Sequence, residues 1–147
     1  MQLRPWTVYC DGSAMPNPGR MGAGAVITEP DGTRHTLSLA SHAIGCNNEA
    51  ELRALTLALE ELKARGATSV LAYTDNSILV EQLGAPGARP IVRMAGLFED
   101  ARALLGSFEE ASLRWVPRHR NHEADALARA SLGFAPKPAA KATKKRR

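Results

Sequence analysis

The hydrophobic period of this chain changes at Asn47, and that change decides what it can fold into. Before it lie three β-prone runs: residues 7–11, residues 22–29 and residues 33–42, the last with Leu37 and Leu39 on one face. Pro30-Asp31-Gly32 is a tight-turn signal between the second and the third, so the first 46 residues read as an antiparallel meander. After it, Leu52, Leu55, Leu59 and Leu62 recur at helical spacing until Gly66 stops the run. A fourth strand over 69–74 follows, then a short helix over 76–83 and a breaker-rich link over 84–90. A second long helix over 91–105, a fifth strand over 112–116 and a last helix over 121–132, with Asn121 as its N-cap, complete the pattern. Three strands and then alternating helices and strands make an α/β fold, a five-stranded mixed sheet covered by helices. At 147 residues without an internal repeat, this is one domain.

Charge divides the chain differently. Six of its 19 basic residues, Lys137, Lys141, Lys144, Lys145, Arg146 and Arg147, stand in the last 13 positions with no acid among them, which leaves 13 basic against 15 acidic residues in the rest. The net charge of +4 therefore belongs to the tail, and the body is mildly acidic. Residues 1–134 read as the folded domain and 135–147, rich in Pro, Ala and Lys, as a disordered basic tail. A basic tail on an acidic body suggests a polyanionic partner held near a cation site; a purely solubilising tail is the alternative. No apolar run approaches the roughly 20 residues that cross a bilayer, and residues 1–5 lead into a strand without a signal-peptide core, so a cytoplasmic protein without a membrane partner is expected. Cys10 and Cys46 then read as small buried hydrophobes, not as a disulfide or a zinc site.

The acids carry the chemistry. Asp11 closes the first β-run, ahead of Gly12-Ser13 and the glycines at 19, 22 and 24, which would let backbone approach a ligand; Asp75 closes the fourth strand. Glu51 and Asp125 lie in the first turns of helices. At about 100° per residue, Glu51 sits roughly 60° from the centre of the leucine stripe and Glu49 roughly 100°, on the side of Arg53 and Glu60. Each acid also has a local use: Asn48 and Glu51 have the spacing of a capping box, Asp75 can cap the helix after it, and Asp125 complements a helix N-terminus. Four carboxylates converging from strand ends and helix starts would repel unless a cation neutralised them, and an all-oxygen set selects Mg²⁺ or Mn²⁺. Two such ions about 4 Å apart activate a water and stabilise the leaving oxygen of a phosphodiester.

Four segments in this order resemble the type 1 ribonucleases H. They are Tyr9-Cys10-Asp11-Gly12-Ser13 with Asn17-Pro18-Gly19 and Gly22-Ala23-Gly24; Asn47-Asn48-Glu49-Ala50-Glu51-Leu52; Tyr73-Thr74-Asp75-Asn76; and Trp115 to Asn121 leading into Ala124-Asp125-Ala126. The resemblance covers residues 7 to about 132. It implies a ribonuclease H-like fold, with three antiparallel strands and then two parallel ones. It also implies a monomer that hydrolyses the RNA strand of RNA/DNA hybrids with two Mg²⁺ ions, leaving 5′-phosphate and 3′-hydroxyl ends. Carried over by motif, Asp11, Glu51, Asp75 and Asp125 hold metal, and His119 is the loop histidine that helps protons move or product leave. Gly12, Ser13, Asn17, Asn47 and Asn48 line the RNA groove, where 2′-hydroxyls distinguish RNA from DNA. His122 fills no motif position and is expected in solvent.

Two departures stand out. Asn76 and Ser77 follow Asp75 where many members have Ser and a substrate-touching Gln, and the link over 84–92 has Arg89 as its charge and no tryptophan, where several bacterial members carry a basic, aromatic protrusion. This resembles the compact branch. Other metal-dependent nucleases or strand-transfer domains of the same fold, and a silent nucleic-acid-binding module, are the rival readings. If the tail supplies the missing phosphate contacts, deleting residues 136–147 will raise the KM for hybrid and flatten its dependence on salt. Steady-state kinetics across a salt series checks this; unchanged KM and slope would refute it.

Overall fold

The computed structural model describes residues 4–84 and 91–135, and the expectations for the link at 85–90 and for the basic tail lie outside them. Five strands form one sheet in the order β3-β2-β1-β4-β5: β1 Trp6–Met15, β2 Gly19–Thr28, β3 Arg34–Gly45, β4 Ser69–Thr74 and β5 Glu110–Trp115. The first three are antiparallel, while β4 runs parallel to β1 and β5 parallel to β4. This is the mixed sheet that the change of period implies. The β2–β3 turn closes as the sequence suggests, with Gly32 at φ +95° and the Thr33 amide donating to the Asp31 carboxylate at 2.9 Å.

The first two strands are longer than their hydrophobic runs. β1 continues past Asp11 through Gly12 and Ser13 because β2 supplies a partner for every residue from Thr7 to Met15. Its pairing with β4 is short and ends at Tyr9–Tyr73. Asp11 is therefore inside a strand, on the stretch that β4 no longer flanks. The expectation that it stands at a strand end holds for the parallel neighbour alone.

Helix α1 (Asn47–Ala64) lies over the sheet with Leu52, Leu55, Leu59 and Leu62 fully buried against Val8, Cys10, Ile27, Val70 and Ala72. Gly66 at φ +89° ends it: its amide donates to the Lys63 carbonyl and that of Ala67 to the Leu62 carbonyl, each at 3.0 Å. Helix α2 (Ser77–Gly84) buries Leu79. The second long helix begins later than its periodicity indicates. A 3-10 turn at Val92–Met94, closed by the Met94 amide on the Ile91 carbonyl, precedes α3 (Ala95–Gly106), which seats Phe98 in the same core.

Helix α4 (His122–Ser131) packs across β2, β1 and β3. Arg34 pairs with Glu123, and the Ser38 hydroxyl donates to the Leu127 carbonyl, so β3 grips the helix along its length.

Glycines set how near the two site-bearing helices come. A Cβ on Gly12 would lie 2.1 Å from the Ala50 carbonyl oxygen in α1, and one on Gly24 would lie 2.2 Å from that of Ala124 in α4. The space that the sequence reserves for a ligand is taken, at these two positions, by helix backbone. Gly24→Ala is expected to cost about 1–3 kcal/mol of stability by overpacking. Gly106→Ala, where a Cβ meets nothing within 4 Å among the described residues, is the control that should cost little. Urea unfolding of both variants measures the difference.

Candidate metal centre

Where β1 runs on past the end of β4 and two helices begin, four acids meet. Asp11, Glu51 and Asp75 each offer an oxygen, and these oxygens all lie within 4.8 Å of one another. Asp11 and Glu51 are buried and Asp75 is half-buried. Asp125, half-buried in the first turn of α4, lines the same cleft of about 100 Å³ and adds to the upward shift of the Asp11 carboxyl. Gly12, Ser13, Asn47 and Arg118 complete the lining.

The local uses open to these acids are taken by other groups. Helix α1 starts at Asn47 with Cys46 in the cap position and no side-chain cap, so the capping box of Asn48 and Glu51 does not form. The Glu51 carboxylate instead accepts from the Gly12 backbone amide at 2.9 Å, and the Asn48 side-chain oxygen accepts from the Asn76 side-chain nitrogen at 2.9 Å. Asn76, not Asp75, caps α2: its side-chain oxygen accepts from the amides of Ile78 at 2.9 Å and Leu79 at 3.2 Å. Glu49 pairs with Arg53 one turn along, at 2.9 Å.

The remaining candidates divide. Asn17 and Asn47 tie the β1–β2 end to the start of α1: the Asn47 amide donates to the Asn17 side chain at 3.1 Å, and the Ala14 amide to the Asn47 side chain at 2.9 Å. His119 is exposed in a 3-10 turn at Arg118–Arg120, and Arg118 rather than His119 lines the cleft. His122 is exposed, as its lack of a motif position suggests. Cys10 is buried; Cys46, expected to be buried, is half-exposed, with the Arg93 guanidinium donating to its sulfur at 3.5 Å.

Three residues at the site were not expected there from the sequence. Arg118 brings a cation to an acidic cleft. The Trp115 indole donates to the Asp75 backbone carbonyl at 3.2 Å. Asn121, expected as the N-cap of the last helix, makes no side-chain cap; its amide turns inward to the Cys10 carbonyl at 3.0 Å and the Asp75 carboxylate at 3.2 Å. All three lie in the segment from Trp115 to Asn121, where the indole and the guanidinium next to His119 were the available signal.

Burial pushes the Asp11 carboxyl far above the ordinary carboxylate range, and Glu51, Asp75 and Asp125 add to the shift. Glu51 is raised too, chiefly by burial, although the hydrogen bond from Asp11 lowers it in part. A proton on Asp11, donated to Glu51, thus relieves a repulsion that a divalent cation would relieve better. The donor set, carboxylate oxygens with no thiol or imidazole among them, fits Mg²⁺ or Mn²⁺.

A five-stranded sheet in this order, with an acidic cleft where β1, β4, α1 and α4 meet, defines a ribonuclease H-type fold. The family model for reverse transcriptase-like proteins matches residues 9–131. Ribonuclease HI of Halobacterium salinarum is 35% identical over 128 residues, covering 84% of this chain and 62% of that protein. A bifunctional protein of Mycobacterium tuberculosis is 34% identical over 135 residues, covering 90% of this chain and 37% of that protein. The crystal structure of ribonuclease H1 from H. salinarum superimposes with a TM-score of 0.81 at 30% identity, covering 88% of this chain and 98% of that one. LC11 ribonuclease H1 in complex with an RNA/DNA hybrid gives 0.75 at 28% identity, covering 86% and 95%. The chain belongs to the type 1 ribonuclease H family. It spans about a third of the mycobacterial protein and under two thirds of the halobacterial ribonuclease HI.

An acid whose folded pKa is raised stabilises the fold below its unfolded pKa, near 4, and that contribution is lost as pH rises toward the folded value. In chelator at pH 7–8, Asp11→Asn is therefore expected to melt above the wild-type protein. The gap should close toward pH 4 and also on adding Mg²⁺. Thermal melts over a pH series, with and without the ion, test both limbs.

Proposed function

We propose that this protein is an endoribonuclease that hydrolyses the RNA strand of RNA/DNA hybrids with two divalent ions, giving 5′-phosphate and 3′-hydroxyl ends. The convergence of Asp11, Glu51 and Asp75, with Asp125 on the rim of the same cleft, is the observation that carries it. It is supported by the family membership and by the neighbouring ribonuclease H1 solved with a hybrid. Asp11, Glu51, Asp75 and Asp125 would hold the ions, Mg²⁺ or Mn²⁺. When bound, such ions would make a coordinated water more acidic and stabilise charge on the leaving oxygen.

The chain's own residues do the rest. Asp11, whose carboxyl is raised by burial and by the other three acids, would have to be deprotonated to hold a cation. The Gly12 amide fixes Glu51, the Asn121 side chain donates to Asp75, and α4 carries Asp125 into the same cleft. In this reading Gly12, Ser13, Asn17, Asn47 and Asn48 face the RNA strand, Gly12, Ser13 and Asn47 from the cleft itself, where hydrogen bonds to 2′-hydroxyls select RNA. His119, exposed and next in sequence to the cleft-lining Arg118, would help protons move or product leave. Residues 1–134 form the catalytic domain, and the basic tail adds phosphate contacts. All four acids come from one chain, so a monomer suffices; the free thiols of Cys10 and Cys46 suit the cytoplasm.

Asp11→Asn and Asp75→Asn should each abolish Mg²⁺-dependent cleavage, a loss of at least about 10³-fold, while the fold survives. End-labelled hybrid, double-stranded RNA, single-stranded RNA and DNA duplex, each incubated with Mg²⁺ or Mn²⁺, test the substrate assignment. Cleavage of hybrid with DNA duplex intact is the expected pattern. Cleavage of DNA duplex would refute it.

A further inference from the structure

Asn121 makes an arrangement that its place at the start of a helix does not require. Its side chain is 2% exposed, and it does not cap α4. Both hydrogen bonds from its amide nitrogen end on acceptors, the Cys10 carbonyl at 3.0 Å and the Asp75 carboxylate at 3.2 Å, so the nitrogen must face the site. Its own side-chain oxygen is then left buried without a partner among the described residues. A buried acceptor without a donor is costly, and a cap on α4 would have been the ordinary use of an asparagine here.

The two acceptors identify what the arrangement secures. Pairing of β1 with β4 ends at Tyr9–Tyr73, so Cys10 is the first residue of β1 beyond the parallel ladder, and Asp11 follows it. Asp75 is the first residue beyond β4. Where strand pairing no longer fixes the distance between the two chains, one side-chain amide spans them. The backbone of the same residue reaches a third acid, because the Asn121 carbonyl accepts from the Asp125 amide at 3.1 Å. Trp115 holds Asp75 from the other end, through its backbone carbonyl.

We propose that Asn121 is a positioning residue for the metal centre, holding Asp75 at the spacing from Asp11 that a pair of cations requires and registering α4, with Asp125, to both. It touches neither substrate nor the reacting atoms and acts through Asp75. The proposal rests on the reading of the acidic cluster as a metal site. Partners of metal-binding groups typically change metal affinity or activity by about 10–100-fold when removed.

The test compares full-length wild-type protein with Asn121→Ala and Asn121→Leu, the second filling the volume without donating. Mn²⁺ binding to the substrate-free protein is followed by electron paramagnetic resonance, and kcat and KM for hybrid are measured at saturating Mg²⁺. Circular dichroism and melting temperature set the working temperature below unfolding for each variant. Mn²⁺ affinity and kcat lowered about 10–100-fold, with KM for hybrid within about twofold of wild type, is the expected result. A lowered melting temperature with Mn²⁺ affinity and kcat within twofold of wild type would make Asn121 a structural tie only and overturn the proposal. Wild-type protein that binds no Mn²⁺ would refute the metal-site reading and the proposal together, whereas wild-type binding unchanged in the variants overturns the proposal alone.

Discussion

The mutual repulsion of carboxylates gathered in a buried place is the constraint around which this molecule is built. Asp11, Glu51 and Asp75 bring their oxygens within 4.8 Å of one another at a point largely shielded from water. In water such charges would separate; here the sheet and two helices hold them, and Asp11 answers by keeping its proton. The arrangement costs stability in the absence of a cation. That is the ordinary mark of a site selected for what it binds rather than for what it adds to folding.

Rigid backbone supplies the restraint. Asp11 belongs to a strand paired with β2 on both sides of it, Glu51 to a helix whose leucines fill the core, and Asp125 to a helix clamped by Arg34 and Ser38. Gly12 and Gly24 remove the side chains that would keep those helices from the sheet. Glu51 and Asp125 reach Asp11 because their helix backbones come this near. The glycine-rich opening of the chain therefore shapes the site from beneath, and whatever ligand room it leaves is bounded by α1 and α4.

Hydrogen bonds between elements distant in sequence give the cleft its finer geometry. Gly12 to Glu51, Asn76 to Asn48, Trp115 to the Asp75 carbonyl, and Asn121 to Cys10 and Asp75 each join groups from different elements. Several involve residues whose local role would have been a cap or a turn. When such a side chain leaves its local partner, it does so because a long-range acceptor is nearer in the folded chain, and an acceptor is nearer only once the sheet has assembled.

The sequence by itself determined the strand and helix order, the stop at Gly66, the turn at Pro30-Asp31-Gly32 and the identity of the four acids. Those are carried by periodicity, by glycine's conformational freedom and by motif spacing, all of which act over a few residues. It left open whether Glu51 was a capping partner, whether Asp75 capped α2 and whether Asn121 capped α4. Only the tertiary structure decided these: Glu51 accepts from Gly12, Asn76 takes the cap of α2, and Asn121 turns away from its helix toward Asp75. The physical reason is that a local motif states which hydrogen bonds a side chain can make. The competing partner comes from residues 39 to 111 positions away, and its position exists only after β1, β4 and the helices have come together.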